Sequence, residues 1–177
     1  MFLGGKNLSK KFALVINYSD NKMNQFFSFL RFILYNKANI KDIDTAKPVS
    51  VENEIELFNK LREIMKLYLS KYTTTLEYDE DYFKKNKNNM EFNEYNCYVI
   101  RIGEKRILHF YLNMSNDILQ LLNMSNKNEV KTIFHDIINT CENKNYNMNN
   151  KPNQNVVNNL LKYKNYLCYI LPLLIVS

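Results

Sequence analysis

Only three glycines and three prolines occur in 177 residues. Folds built from many short strands need tight turns, and turns draw on Gly and Pro for backbone conformations that other residues adopt at a cost. Phosphate-binding loops of the Rossmann or P-loop kind need several glycines close together. Gly4, Gly5 and Gly103 do not supply one. What survives is an all-α chain, and the apolar periodicity agrees.

In "MNQFFSFLRFILYN", Phe26, Phe29, Leu30, Ile33 and Leu34 recur at helical spacing, with Asp20 or Asn21 placed to cap the start. After Pro48, Ser50 can cap a second helix whose first turn carries Glu52 and Glu54 at the positive end of the dipole. Val51, Ile55, Phe58, Met65, Leu69 and Tyr72 line one face of it. Leu57, Leu61, Ile64 and Tyr68 line an adjacent one, so neighbours are expected on two sides. Thr74 and Glu77 fit a capping box, which starts a third helix at Thr74, and "KKNKNNM" then reads as a loop.

The stretch from Phe92 to Leu112 reads as an amphipathic helix. Phe92, Tyr95, Val99, Ile102 and Arg106 form its expected packed face, flanked by Tyr98 and His109. Arg101, Glu104, Lys105 and, at the margin, Arg106 are expected to project towards solvent. Gly103 costs about 1 kcal/mol against Ala inside a helix, so it is expected to admit another backbone. Helical pattern continues less regularly to Cys141. Ahead of all this, Phe12, Leu14 and Ile16 of "KKFALVINYS" alternate as in a short strand.

The expected domain plan is therefore an N-terminal segment (1–25), a helical domain (26–141) and a polar tail (142–177). The stretch "ENKNYNMNNKPNQNVVNN" is of low complexity and reads as poorly ordered. The end, "YLCYILPLLIVS", is apolar but interrupted by Pro172, and it falls short of the ~20 residues a membrane helix needs.

The formal net charge is +6. A basic domain can signal nucleic acid, but no basic run or known binding motif accompanies the charge. The 29 asparagines, with frequent Lys, Tyr and Ile, are the vocabulary of an AT-rich coding sequence. Cys97, Cys141 and Cys168 are widely separated, an odd count that fits reduced thiols in an intracellular protein. With two histidines, His109 and His135, no zinc-binding spacing exists. His135 and Cys141 fall on different helix faces, which argues against a nucleophilic pair.

Four motifs in order carry a resemblance: Phe29–Leu30–Arg31, Pro48 to Glu54, Tyr72 to Asp79, and Arg101 to Leu108. They resemble the "FLR" core, the "P-S-x-x-N-E" helix start, the "Y-x-T-x-x-E-x-D" junction and the "R-x-G-E-K-x-I-L" helix of one family. That family is the C-terminal substrate-binding domain of the Rubisco large-subunit methyltransferase class of SET proteins. The resemblance covers about Phe26 to Leu112. It implies an all-α domain that packs beside a SET catalytic core and helps hold a protein substrate.

In that family S-adenosylmethionine binds the SET domain, and this chain carries no Asn-His-Ser motif or glycine-rich donor site. The resemblance therefore implies a non-catalytic module with no cofactor or metal of its own. Its partners would be a protein substrate, a SET domain, or both, in the cytoplasm or nucleus. Two alternatives stand beside it: a fragment of a complete SET methyltransferase acting on Lys or His, and a basic nucleic-acid-binding helical domain. Arg101, Glu104, Lys105 and Arg106 are the candidate partner-binding residues, with intradomain ion pairing as their other reading.

Overall fold

Ser50 caps as its place after Pro48 suggests: its hydroxyl accepts a hydrogen bond from the Asn53 amide at 3.2 Å, and its carbonyl accepts one from Glu54 at 3.1 Å. The helix it opens is one of six among the described residues of the computed structural model. The model describes residues 2–3, 12–13, 20–34, 47–142, 146–149, 151–164, 166–167 and 170. The helices are α1 (Asp20–Leu34), α2 (Val51–Leu69), α3 (Leu76–Asn86), α4 (Phe92–Leu122), α5 (Lys127–Glu142) and α6 (Gln154–Leu160), the last continued by a 3-10 turn at Leu161–Tyr163.

Two short strands precede them, β1 (Phe2–Leu3) and β2 (Phe12–Ala13), paired antiparallel with Phe2 opposite Ala13 and Leu3 opposite Phe12. The strand-like reading of "KKFALVINYS" thus holds at Phe12–Ala13, and its continuation through Leu14 and Ile16 lies outside the described residues. Most of the polar connection before Pro48 and the apolar end from residue 171 lie outside them too.

The chain divides into two compact units. One comprises Met1–Asn17 and Leu61–Asn113, the other Tyr18–Lys60 and Met114–Ser177. The division falls inside α2 and inside α4.

In the second unit the core is built around an ion pair. Arg31 and Glu54 are 2 % and 0 % exposed, with Arg31 Nε 2.6 Å from Glu54 Oε1 and Nη2 3.1 Å from Oε2. Tyr166 closes the triad, accepting from Arg31 Nη2 at 3.1 Å and donating to Glu54 Oε2. The rings of Phe27 and Phe58 lie 4.8 Å and 5.3 Å from the Tyr166 ring. A buried charge pair is tolerable only when its remaining donors and acceptors are satisfied, and here the tyrosine hydroxyl helps to do that. Burial and the neighbouring carboxylate hold that hydroxyl well above the ordinary tyrosine range.

This arrangement turns α1. Its buried side is Phe26, Phe27, Leu30 and Arg31, and Ile33, expected inside, is exposed. Helix α1 already begins at Asp20, so Asp20 and Asn21 are its first residues and not residues ahead of it.

The tail expected after Cys141 differs as well. Helix α5 runs to Glu142, and α6 follows within the Asn-rich stretch. Met148, Val157, Leu160, Tyr163, Tyr166, Leu167 and Ile170 are buried there. Lys151 reaches Asp136 on α5 at 2.8 Å, and Tyr146 donates to the same carboxylate oxygen at 2.5 Å. Burial opposes ionisation of Asp136, yet these two hydrogen bonds leave its carboxyl below the ordinary range. Asn147, Asn149, Asn155, Asn158 and Asn159 fill exposed positions between these anchors, which is why composition alone misleads.

Among the described residues, no helix is long and apolar enough to cross a membrane.

Candidate functional site

Helix α3 starts one residue later than the capping box suggests. Thr75 is the cap, accepting from the Tyr78 amide at 3.2 Å, and Leu76 is the first helical residue. The helix then continues to Asn86 and takes in the first three residues of "KKNKNNM". The one-residue shift frees Thr74, whose hydroxyl donates to Asp79 Oδ1 at 2.8 Å. Asp79 is fully buried, one turn into α3, and it organises the first unit.

Two cations from α4 converge on it. Arg101 makes a fork, Nε to Oδ2 and Nη2 to Oδ1, both at 2.9 Å. Lys105 Nζ lies 2.5 Å from Oδ2 and also donates to the Thr74 carbonyl at 2.6 Å, the Thr74 hydroxyl at 2.9 Å and the Thr75 carbonyl at 3.3 Å. Residues 101 and 105 are one helical turn apart, so a single carboxylate can receive both. Burial on its own would raise the Asp79 carboxyl, but the hydrogen bonds from Lys105, Thr74 and Arg101 together hold it below the ordinary range.

Beside this cluster, the Tyr72 hydroxyl donates to Glu104 Oε2 at 2.7 Å. Burial and that carboxylate push the hydroxyl up to about 12. Arg106 pairs with Glu80 at 2.7 Å on the surface, both side chains more than a third exposed. A cavity of about 250 Å³ opens against the network, lined by Leu69, Tyr72, the Thr73–Leu76 turn, Lys105 and His109.

The other side of the α3–α4 contact is aromatic. Tyr82 stacks on Tyr98 with ring centroids 5.0 Å apart, the Arg101 guanidinium sits 4.2 Å from the Tyr98 centroid, and Phe83 packs on Tyr95 at 5.1 Å.

All four residues singled out in the sequence therefore meet partners within the chain, and one reverses its expected place. Lys105 is 1 % exposed and not solvated, because Asp79 and the Thr74–Thr75 carbonyls replace its water. The face of α4 expected to pack is correspondingly turned outward over its first half: Phe92 and Val99 are exposed, with Ile102 and Leu108 buried. Among the described residues Gly103 meets no other backbone, and a Cβ there would have nothing within 4 Å beyond its own helix. Sequence reading missed Asp79, Tyr72 and Thr74 as a group. The available signal was the pair Arg101 and Lys105 on one helix face, which needs a carboxylate if that face is inside.

With the geometry in place, the comparisons with known proteins are direct. The family model of the Rubisco LSMT substrate-binding domain matches residues 2–108. That is more than half of the chain, and the protein belongs to this family. The match takes in Tyr72, Thr74, Asp79, Arg101 and Lys105, and His109 falls just past its end. No curated protein and no solved structure matches the chain. The family is one of substrate-binding domains, non-catalytic and of the methyltransferase type.

Proposed function

We propose that this chain holds a protein substrate for a SET-type lysine or histidine N-methyltransferase. Catalysis and S-adenosylmethionine belong on this reading to the SET domain, in the same polypeptide or another. The observation that carries the reading is the family match over residues 2–108. Arg101 and Lys105 serve it indirectly, by fixing α3 against α4 through Asp79. Glu104 orients Tyr72 on the rim of the cavity, and Arg106 presents a largely exposed guanidinium nearby on α4. At about 250 Å³ the cavity is smaller than a typical small-molecule site and suits one side chain of a docked polypeptide.

Two measurements test this. Calorimetric titration of the purified chain with S-adenosylmethionine is expected to give no saturable heat. A one-to-one isotherm in the micromolar range would overturn the non-catalytic half, since about −8 kcal/mol requires a formed pocket. An array of lysine- and histidine-containing peptides is expected to show a bound subset that His109→Ala and Tyr72→Ala weaken. Equal binding by both variants would remove the cavity from the substrate site.

A further inference from the structure

Helix α4 holds a glycine that no packing among the described residues explains. Gly103 lies in the interior of a 31-residue helix, where glycine is disfavoured against alanine. A Cβ there would meet nothing within 4 Å beyond the helix itself. Large apolar side chains on this side of the helix are exposed, as Leu67 and Tyr78 are elsewhere in the first unit. Phe92 is 80 %, Ile100 62 % and Val99 46 % exposed. Read along this face, Phe92, Asn96, Val99, Gly103 and Arg106 recur at intervals of four, three, four and three, the spacing at which paired helices meet, with Phe92 and Val99 as its large apolar members.

We infer that this face is a self-association surface, on which α4 packs antiparallel against α4 of a second copy. The face complements itself. With the two-fold axis between Val99 and Gly103, each Val99 enters the gap over the second copy's Gly103, and this happens twice by symmetry. Asn96 then faces the second copy's Arg106. A parallel pairing is disfavoured, because it would set Arg106 against Arg106 and leave both glycine gaps facing each other. In the antiparallel pairing the two arginines sit at opposite ends of the seam, each about 15 Å from the level at which the other lies, at 1.5 Å per residue. A contact of about four helical turns falls below the ~1,200 Å² of a standard interface, so the association is expected to be weak and concentration-dependent. It goes beyond substrate binding, since it would present two substrate-binding modules together.

The test is sedimentation of the full 21.2 kDa chain at concentrations from about 1 to about 300 µM, a span that brackets a micromolar dissociation constant. The mass is expected to rise towards that of a dimer across this range. Val99→Asp and Gly103→Leu are expected to weaken association about tenfold or more. Both positions are open in the single chain, and circular dichroism checks that the helix persists. Should Val99→Asp lose helix, Gly103→Leu decides alone. Gly103→Ala gives a second signature: higher thermal stability of the dilute chain together with weaker association, since the added methyl favours the helix but fills the gap. A chain that stays monomeric at every concentration would overturn the proposal and leave the face to a different partner. Association unchanged in Gly103→Leu would overturn it equally.

Discussion

Asp79 is the residue on which the first unit turns, because one buried carboxylate compensates a buried ammonium and a half-buried guanidinium. Removing one partner of such a group leaves an uncompensated charge inside. Asp79→Asn keeps the volume and is expected to cost about 3–5 kcal/mol in urea unfolding. Asp79→Asn combined with Lys105→Met is expected to recover part of that loss, because the orphaned ammonium is then gone. The pH dependence follows in sign. The folded-state carboxyl lies below its ordinary value of 3.8, so its stabilisation is fully present above that value. The stabilisation is lost as pH falls below 3.8 and through the still lower folded-state value. Thermal unfolding followed by circular dichroism should therefore show a midpoint that drops in acid, with a shallower drop in Asp79→Asn. Equal acid sensitivity of the two proteins would assign the effect elsewhere, Asp136 being the next candidate.

At the scale of elements, Arg31, Glu54 and Tyr166 tie α1 and α2 to a residue more than a hundred positions further along the chain. Tyr166→Phe removes a hydroxyl that both donates and accepts, yet leaves the ion pair in place, so a cost of about 1–3 kcal/mol is expected. Arg31→Met strands Glu54 in the core and should cost more, about 3–5 kcal/mol. The reverse order in chemical denaturation would show that Tyr166 and not the ion pair is the anchor.

The same contrast explains what was legible in the sequence. The Ser50 cap, the helix it starts and the all-α class depend on neighbours within a few residues, and local pattern carries them. Lys105 was not legible. Its burial depends on Asp79, 26 positions away, and a lysine at that spacing looks solvated until its partner is known. The Thr74–Thr75 ambiguity has a similar origin: two adjacent threonines can each cap, and the demand of Asp79 for a donor decides between them. In the C-terminal stretch the signal was present but diluted. Val157, Leu160, Tyr163, Leu167 and Ile170 recur every three or four residues, a buried stripe of helical spacing whose start is hidden among the asparagines that run to Asn159.

For the molecule as a whole, the net charge of +6 invites a nucleic-acid reading, and the ion pairs argue against it. Arg31, Arg101, Lys105 and Lys151 each face a carboxylate that is at least nine-tenths buried, and Arg106 and Lys85 face carboxylates at the surface. A cation already committed to a buried carboxylate releases no counterion from a phosphate without first breaking that pair. Of the candidate site's arginines, the side chains best suited to grip a phosphate, Arg101 is thus committed to a buried carboxylate, and Arg106 is left with a surface partner. Binding to a duplex of about 20 base pairs, followed by fluorescence anisotropy, is expected to be weak at 50 mM salt and absent at 200 mM, as for dispersed surface lysines. Tight binding that persists at 200 mM and is weakened by Arg106→Ala would reverse this conclusion, because it would require a built phosphate surface around the one site arginine whose partner is itself exposed.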